Sequence, residues 1–131
     1  GCAELLYETI KLLVAGKVVR KSQTAIHPLG FYCTGRIEGD ERLVWDQSSR
    51  DIFNFVRAIC CPGPEARTFC KDVEIKINCV ELLPDAPEYK GIQGAVLGTC
   101  SDGFFVKTAD SYLKVVEWSG MDRIRIGDRF K

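Results

Sequence analysis

Seven cysteines and one histidine are the residues most able to carry chemistry in this 131-residue chain. The cysteines are Cys2, Cys33, Cys60, Cys61, Cys70, Cys79 and Cys100, and the histidine is His27. Zinc sites usually pair ligands about two to four residues apart. Here no C-x-x-C pair occurs, Cys60 and Cys61 are adjacent, and histidine ligation is nearly excluded, so no metal is expected. An odd cysteine count in a chain of this size also argues against a secreted disulfide framework. The expectation is free thiols, several of them buried, in a reducing cytoplasm. Cys60 and Cys61 fall at a helix C-terminus, where the dipole opposes a thiolate, and read as packing residues. His27 precedes Pro28 and has no carboxylate at helical spacing. Gly91-x-x-Gly94 lacks the Lys-Ser/Thr and the following helix of a phosphate loop. No catalytic constellation therefore emerges from residue types and spacing.

The elements that must position these residues are clearer. Leu5, Leu6, Ile10, Leu13 and Val14 give residues 3–15 one apolar helical face, and Gly16 stands where a C-cap glycine belongs. Residues 24–47 are loop-rich, with Phe31-Tyr32-Cys33 and Leu43-Val44-Trp45 as short strands or packed extended segments. Ser48 or Ser49 caps a second helix, with Asp51 in its first turn and Ile52, Phe53, Val56 and Ile59 on its apolar face. Pro62-Gly63-Pro64 ends it. From residue 67 the period becomes two, through Phe69, Val73, Ile75 and Ile77. Further strands are expected at Gly94–Leu97, Phe104–Lys107 and Tyr112–Trp118, with turns at Ser101-Asp102-Gly103 and Asp110-Ser111. Four or five short strands at this spacing predict a small closed or partly open β-barrel.

Lys and Arg number 18, as do Asp and Glu. Residues 1–22 and 121–131 each hold four basic and two acidic side chains, leaving the middle 10 basic and 14 acidic. That balance disfavours a broad phosphate-binding surface and allows only a local basic patch. No apolar run approaches the length of a membrane span, and no membrane partner is expected.

Order adds what single residues do not. Tyr32-x-x-x-Arg36 is followed by Leu43-Val44-Trp45, Ser48, Ile52, Asn54, Val56-Arg57-Ala58 and Pro62-Gly63-Pro64. Later come Gly94-Ala95-Val96-Leu97, Asp102-Gly103-Phe104-Phe105-Val106 and Gly127-Asp128-Arg129-Phe130. This series resembles the C-terminal part of 10-formyltetrahydrofolate-dependent formyltransferases, departing from it at Glu65 and Val44.

The resemblance implies an α+β chain with an N-terminal helix, one further helix and a small OB-like β-barrel. Residues 1–23 would be the last helix and exit of a missing catalytic domain, 24–66 a linker segment with one helix, and 67–131 the barrel. Chemistry in the family rests on an Asn, a His and an Asp of the missing domain, which also binds 10-formyltetrahydrofolate. His27-Pro28 lies on the wrong side of the opening helix to be that His, so no catalytic residue is assigned and the chain alone is expected not to transfer a formyl group. The acceptor would be an amine, either of a nucleotide-linked amino sugar or of methionyl-tRNA. The neutral charge favours the nucleotide sugar over tRNA. Tyr32 offers a face for a base and Arg36 a cation for a pyrophosphate, so these two are the expected substrate-binding residues. A further reading is a non-catalytic binding or dimerisation barrel, a homodimer built on Phe104, Phe105, Tyr112 and Trp118.

Overall fold

A computed structural model describes residues 1–30 and 32–131. They fall into two compact units, Gly1–Gly35 and Arg36–Lys131. No helix among the described residues is long and apolar enough to cross a membrane.

In the first unit, helix α1 spans Cys2–Val14. Gly16 ends it at φ +65°, and the Lys17 N–H reaches back to the Leu12 carbonyl at 2.9 Å. A glycine supplies this left-handed turn without the Cβ clash another residue would meet. Helix α2, Gln23–Ile26, is a single turn in a stretch read as loop from the sequence. Of the extended segment expected at 31–33, Phe31 lies outside the described residues, while Tyr32 and Cys33 belong to no strand.

The second unit is built on helix α3, Ser49–Ile59, and five strands: β1 Ala66–Cys70, β2 Val73–Glu81, β3 Val96–Cys100, β4 Gly103–Lys107 and β5 Tyr112–Ser119. Ser48 caps α3, its Oγ accepting from the Asp51 N–H at 3.1 Å. Ile52, Val56 and Ile59 bury the helix against β1 and β2, as the 3.6-residue period requires. All strand pairs are antiparallel, in the order β1-β2-β5-β4-β3.

Three expectations are corrected here. The alternating run from residue 67 is a hairpin of two strands. Lys71 and Asp72 form its turn, at φ +51° and +64°, a pairing more often filled by Asn-Gly and so invisible to the eye reading for glycine. A bulge at Asn78-Cys79 then shifts the inward register from Ile75 and Ile77 to Val80. Of the two forms expected for Leu43-Val44-Trp45, the strand does not form and the packed segment does: Leu43 and Trp45 are buried, and the Leu43 N–H bonds the Arg67 carbonyl at 2.7 Å.

The third correction concerns the barrel. The five strands make an open sheet, and no ladder joins β1 to β3. The chain's last residues occupy that gap with isolated bridges, Cys70 to Phe130 and Ala95 to Arg129. The core beneath is aromatic. Phe130 stacks on Trp45 at 5.5 Å between centroids and lies 5.7 Å from Phe104, which meets the Trp118 edge at 4.9 Å. Trp45 is 4% exposed, and its Nε1–H donates to Thr68 Oγ1 at 2.9 Å. Of the cysteines only Cys70 is buried; Cys61 is exposed and Cys60 half-buried, so neither packs a core as expected. Both follow the last inward residue of α3, Ile59, and the Cys61 N–H donates to Asn78 Oδ1 of β2 at 2.9 Å.

Asp110 fastens α3 to the β4–β5 turn. One oxygen, Oδ1, accepts from the Ser49 N–H at 2.8 Å, Ser49 Oγ at 3.1 Å, Thr108 Oγ1 at 2.9 Å and the Ser111 N–H at 2.8 Å. Burial pushes this carboxyl's pKa up, but the donors from Ser49 and Thr108 outweigh it and hold the pKa at about 2, from an ordinary 3.8. A depressed carboxylate stabilises the fold above its unfolded pKa and loses that contribution as pH falls through the folded one. Asp110→Asn should therefore cost about 2 kcal/mol at neutral pH, and the wild-type loss of stability between about pH 4 and 2 should shrink in the variant. Urea denaturation across that pH range checks both.

Candidate functional site

Exposed basic residues without an ion pair recur near residue 131, at Arg123, Arg125, Arg129 and Lys131. Gly127, at φ +88°, lets the backbone turn so that Asp128 points inward and Arg129 outward. Asp128 is 7% exposed; its carboxylate pairs with Lys71 and its Oδ2 accepts from the Arg125 N–H at 3.0 Å. The Lys71 ammonium leads the effects that hold this carboxyl below its usual range. From that anchor the segment runs in extended alternation, with Phe130 2% exposed and Arg129 and Lys131 on the surface. The same alternation upstream buries Ile124 and exposes Arg123 and Arg125.

Arg129 and Lys131 border a cleft of about 480 Å³ with Arg42, Gln93, Val44 and Asp46. Trp45 and Phe130 form part of its wall. Among the described residues, Arg42, Arg129 and Lys131 make no ion pair. Three unpaired cations thus face one carboxylate over a floor of fixed aromatic rings. Two guanidinium forks and an ammonium suit the diester oxygens of a nucleic-acid backbone, which accept charge-assisted hydrogen bonds at several spacings. Several other carboxylates of the unit are engaged with cations away from the cleft. Glu41 and Glu74 flank Arg67, Glu65 takes Lys76 at 2.8 Å, and Glu81 and Asp102 share Lys114.

The two residues singled out from sequence lie elsewhere. Tyr32 belongs to the first unit, with its ring fully exposed, and borders a depression formed by Gln23, His27, Leu29 and Gly30. Arg36 opens the second unit, exposed. It makes no ion pair among the described residues, and the nearby Asp40 carboxylate accepts from the Ile37 N–H at 2.9 Å. His27 turns its Nδ1 to the Leu29 carbonyl. Arg57 donates to Asn54 Oδ1 at 3.1 Å rather than to a carboxylate. Sequence reading noted the four basic residues of 121–131 but not that Arg42, almost ninety positions upstream, joins two of them. The Phe130–Trp45 stack and the shared outer edge of β1 bring the segments together.

The family described as "Formyl transferase, C-terminal domain" matches residues 37–127. The chain belongs to the formyltransferase family through this domain. It is 33% identical over 132 residues to a methionyl-tRNA formyltransferase of Halothermothrix orenii, covering 97% of this chain and 41% of that protein. Identity to the methionyl-tRNA formyltransferase of Streptococcus agalactiae serotype III is 36% over 91 residues, 68% of this chain and 28% of that one. The namesake from Mycoplasma mycoides is 30% identical over 87 residues, 66% and 27% of the two chains. The chain thus spans between a quarter and two fifths of the length of these relatives.

Because Arg42, Arg129 and Lys131 are exposed and unpaired, their replacement by glutamine, singly or together, should leave stability within about 0.5 kcal/mol per site. Thermal melts of the variants check this.

Proposed function

We propose that this chain is the tRNA-holding part of a methionyl-tRNA formyltransferase. In this reading a catalytic domain outside the chain moves the formyl group from 10-formyltetrahydrofolate to the methionyl amine. The observation that carries the reading is the cleft of Arg42, Arg129 and Lys131, three cations in no ion pair among the described residues, lined by the single acidic side chain of Asp46. The relatives' names support it, since each is named for methionyl-tRNA. The nucleotide-sugar acceptor rested on neutral net charge, and no relative described above is named for a sugar, so methionyl-tRNA takes its place.

The division of labour follows from the residues present. His27, the only histidine, sits in an exposed turn with no Asn or Asp bonded to it among the described residues. The residues here do not fit a folate or a formyl carbon, and donor binding and transfer are assigned to the catalytic domain. Helix α1 is then that domain's last helix, and Tyr32 and Arg36, both exposed, stand as further contacts to the acceptor. What this chain supplies is orientation: backbone phosphates seated on fixed cations set the reach of the aminoacyl end toward the transferred carbon.

Filter binding of initiator methionyl-tRNA to the 131-residue chain across a salt series tests the reading. Affinity should fall steeply and linearly in log salt, and the combined R42Q/R129Q/K131Q variant should bind more weakly with a slope reduced by roughly 2 units. Saturable binding of a nucleotide sugar with little salt dependence, and none of tRNA, would overturn it.

A further inference from the structure

The outer face of the sheet carries a second depression, which shares no lining residue with the cationic cleft. It encloses about 330 Å³ and is lined by Tyr89, Leu97, Gly98, Phe105 and Tyr112. Its walls are aromatic rings set across one another. Phe105 and Tyr112 lie 6.0 Å apart with planes at 89°, and Tyr89 and Tyr112 lie 6.4 Å apart at 62°. Gly98 stands opposite Phe105 in the β3–β4 register, and the missing side chain leaves that ring uncovered.

Tyr89 belongs to a loop, yet it is held as firmly as a strand residue. Its N–H donates to the Asp110 carbonyl at 2.8 Å. Lys107 lies beneath it, 1% exposed, and spends its ammonium hydrogens on the carbonyls of Tyr89 at 2.5 Å, Thr108 at 3.0 Å and Ser111 at 3.0 Å. The same ammonium is 4.2 Å from the centre of the Tyr89 ring. Burying an ammonium is costly, and desolvation outweighs the attraction of the nearby Asp110 carboxylate, so the Lys107 pKa lies below its ordinary value. What the fold gains is a surface tyrosine in a fixed orientation.

The geometry selects the occupant. Rings at right angles offer one face to stack on and one edge to abut, which suits a flat heterocycle, and the volume is that of a single small ligand. An ammonium already beneath Tyr89 opposes a second cation against that ring, which argues against a methylammonium cage. Arg50, exposed and without an ion pair among the described residues, borders the adjoining depression that shares Tyr112. Glu88 also borders it, but Asp110, the other carboxylate there, is consumed by its four donors. Arg50 thus offers one cation to a phosphate carried by such a ring, beside the carboxylate of Glu88.

We propose that this pocket takes one unpaired nucleobase of an RNA strand, seated in the corner between Tyr89, Phe105 and Tyr112. The inference rests on the tRNA reading above and adds base stacking to what that reading takes from phosphates. Aromatic NMR spectra of the chain, titrated with a short oligoadenylate, test it. The ring resonances of Tyr89, Phe105 and Tyr112 should shift together, and Tyr112→Ala should weaken binding about tenfold. Gly98→Val fills the space over Phe105 at a surface strand position without a positive φ and should abolish binding while leaving the fold's spectrum intact.

Unchanged oligoadenylate affinity in Gly98→Val would overturn the proposal. So would tighter binding of adenosine monophosphate alone, of tetramethylammonium, or of N-acetylphenylalaninamide at the same rings, which would mark a free-nucleotide, cation or protein site. The two readings fail separately. Salt-steep tRNA binding that Gly98→Val leaves untouched removes only the base pocket. Oligoadenylate binding at the rings without tRNA binding removes only the proposed acceptor.

Discussion

The second unit depends on Phe130. Its ring fills the centre of the core between Trp45 and Phe104, while its N–H bonds the Gly94 carbonyl at 2.8 Å. One residue later, Lys131 exchanges two hydrogen bonds with Phe69, on the far edge of the sheet. The backbone at Gly94 comes so close that a Cβ there would lie 2.3 Å from the Phe130 oxygen, and only glycine, at φ +75°, admits the contact. One apolar side chain thereby ties the loop before β3, the outer edge of β1 and the Trp45 segment into one body. It also sets the two cations that flank it in sequence, Arg129 and Lys131, against Arg42.

Much of this was legible before any coordinates. Helix α3 could be read to within a residue because its cap, its period of 3.6 and its proline-glycine stop all agree. Strands β4 and β5 were legible because the turns before them carry Asp-Gly or Asp-Ser, whereas β3, expected at Gly94–Leu97, spans Val96–Cys100. The hairpin turn at Lys71-Asp72 was not, because nothing in those residue types demands a left-handed backbone. The bulge in β2 left only a trace, the step of apolar positions from Ile75 and Ile77 to Val80 and Leu82, and the partner strand is what shows it to be a bulge. The open sheet looked like a barrel because the last segment, Asp128 to Lys131, does bridge both edges, but with single bridges rather than a ladder.

Charge was the least legible property. A chain with equal numbers of acidic and basic residues looks indifferent to polyanions, and counting gave weight to carboxylates that the fold has already used. Arg67 and Lys114 each draw two of them, and Asp110 and Asp128 serve as internal acceptors. What reaches solvent near the chain's end is the remainder, and that remainder is positive. The electrostatic character of a surface is a property of pairing, which sequence separation hides: Arg42 and Arg129 become neighbours only through the fold.

The bridging segment has another consequence. The outer edge of β1 is covered by residues 41–43 at one end and by residues 130–131 at the other, and residues 127–130 likewise cover the residues leading into β3. Each cover is short and irregular, so it satisfies edge amides without extending the sheet. Removal of the last four residues by a protease would bare two strand edges at once and empty the core of its central ring. Such a clipped chain would carry the template for edge-to-edge pairing with its own copies, and its fate would be aggregation rather than simple loss of a few charges.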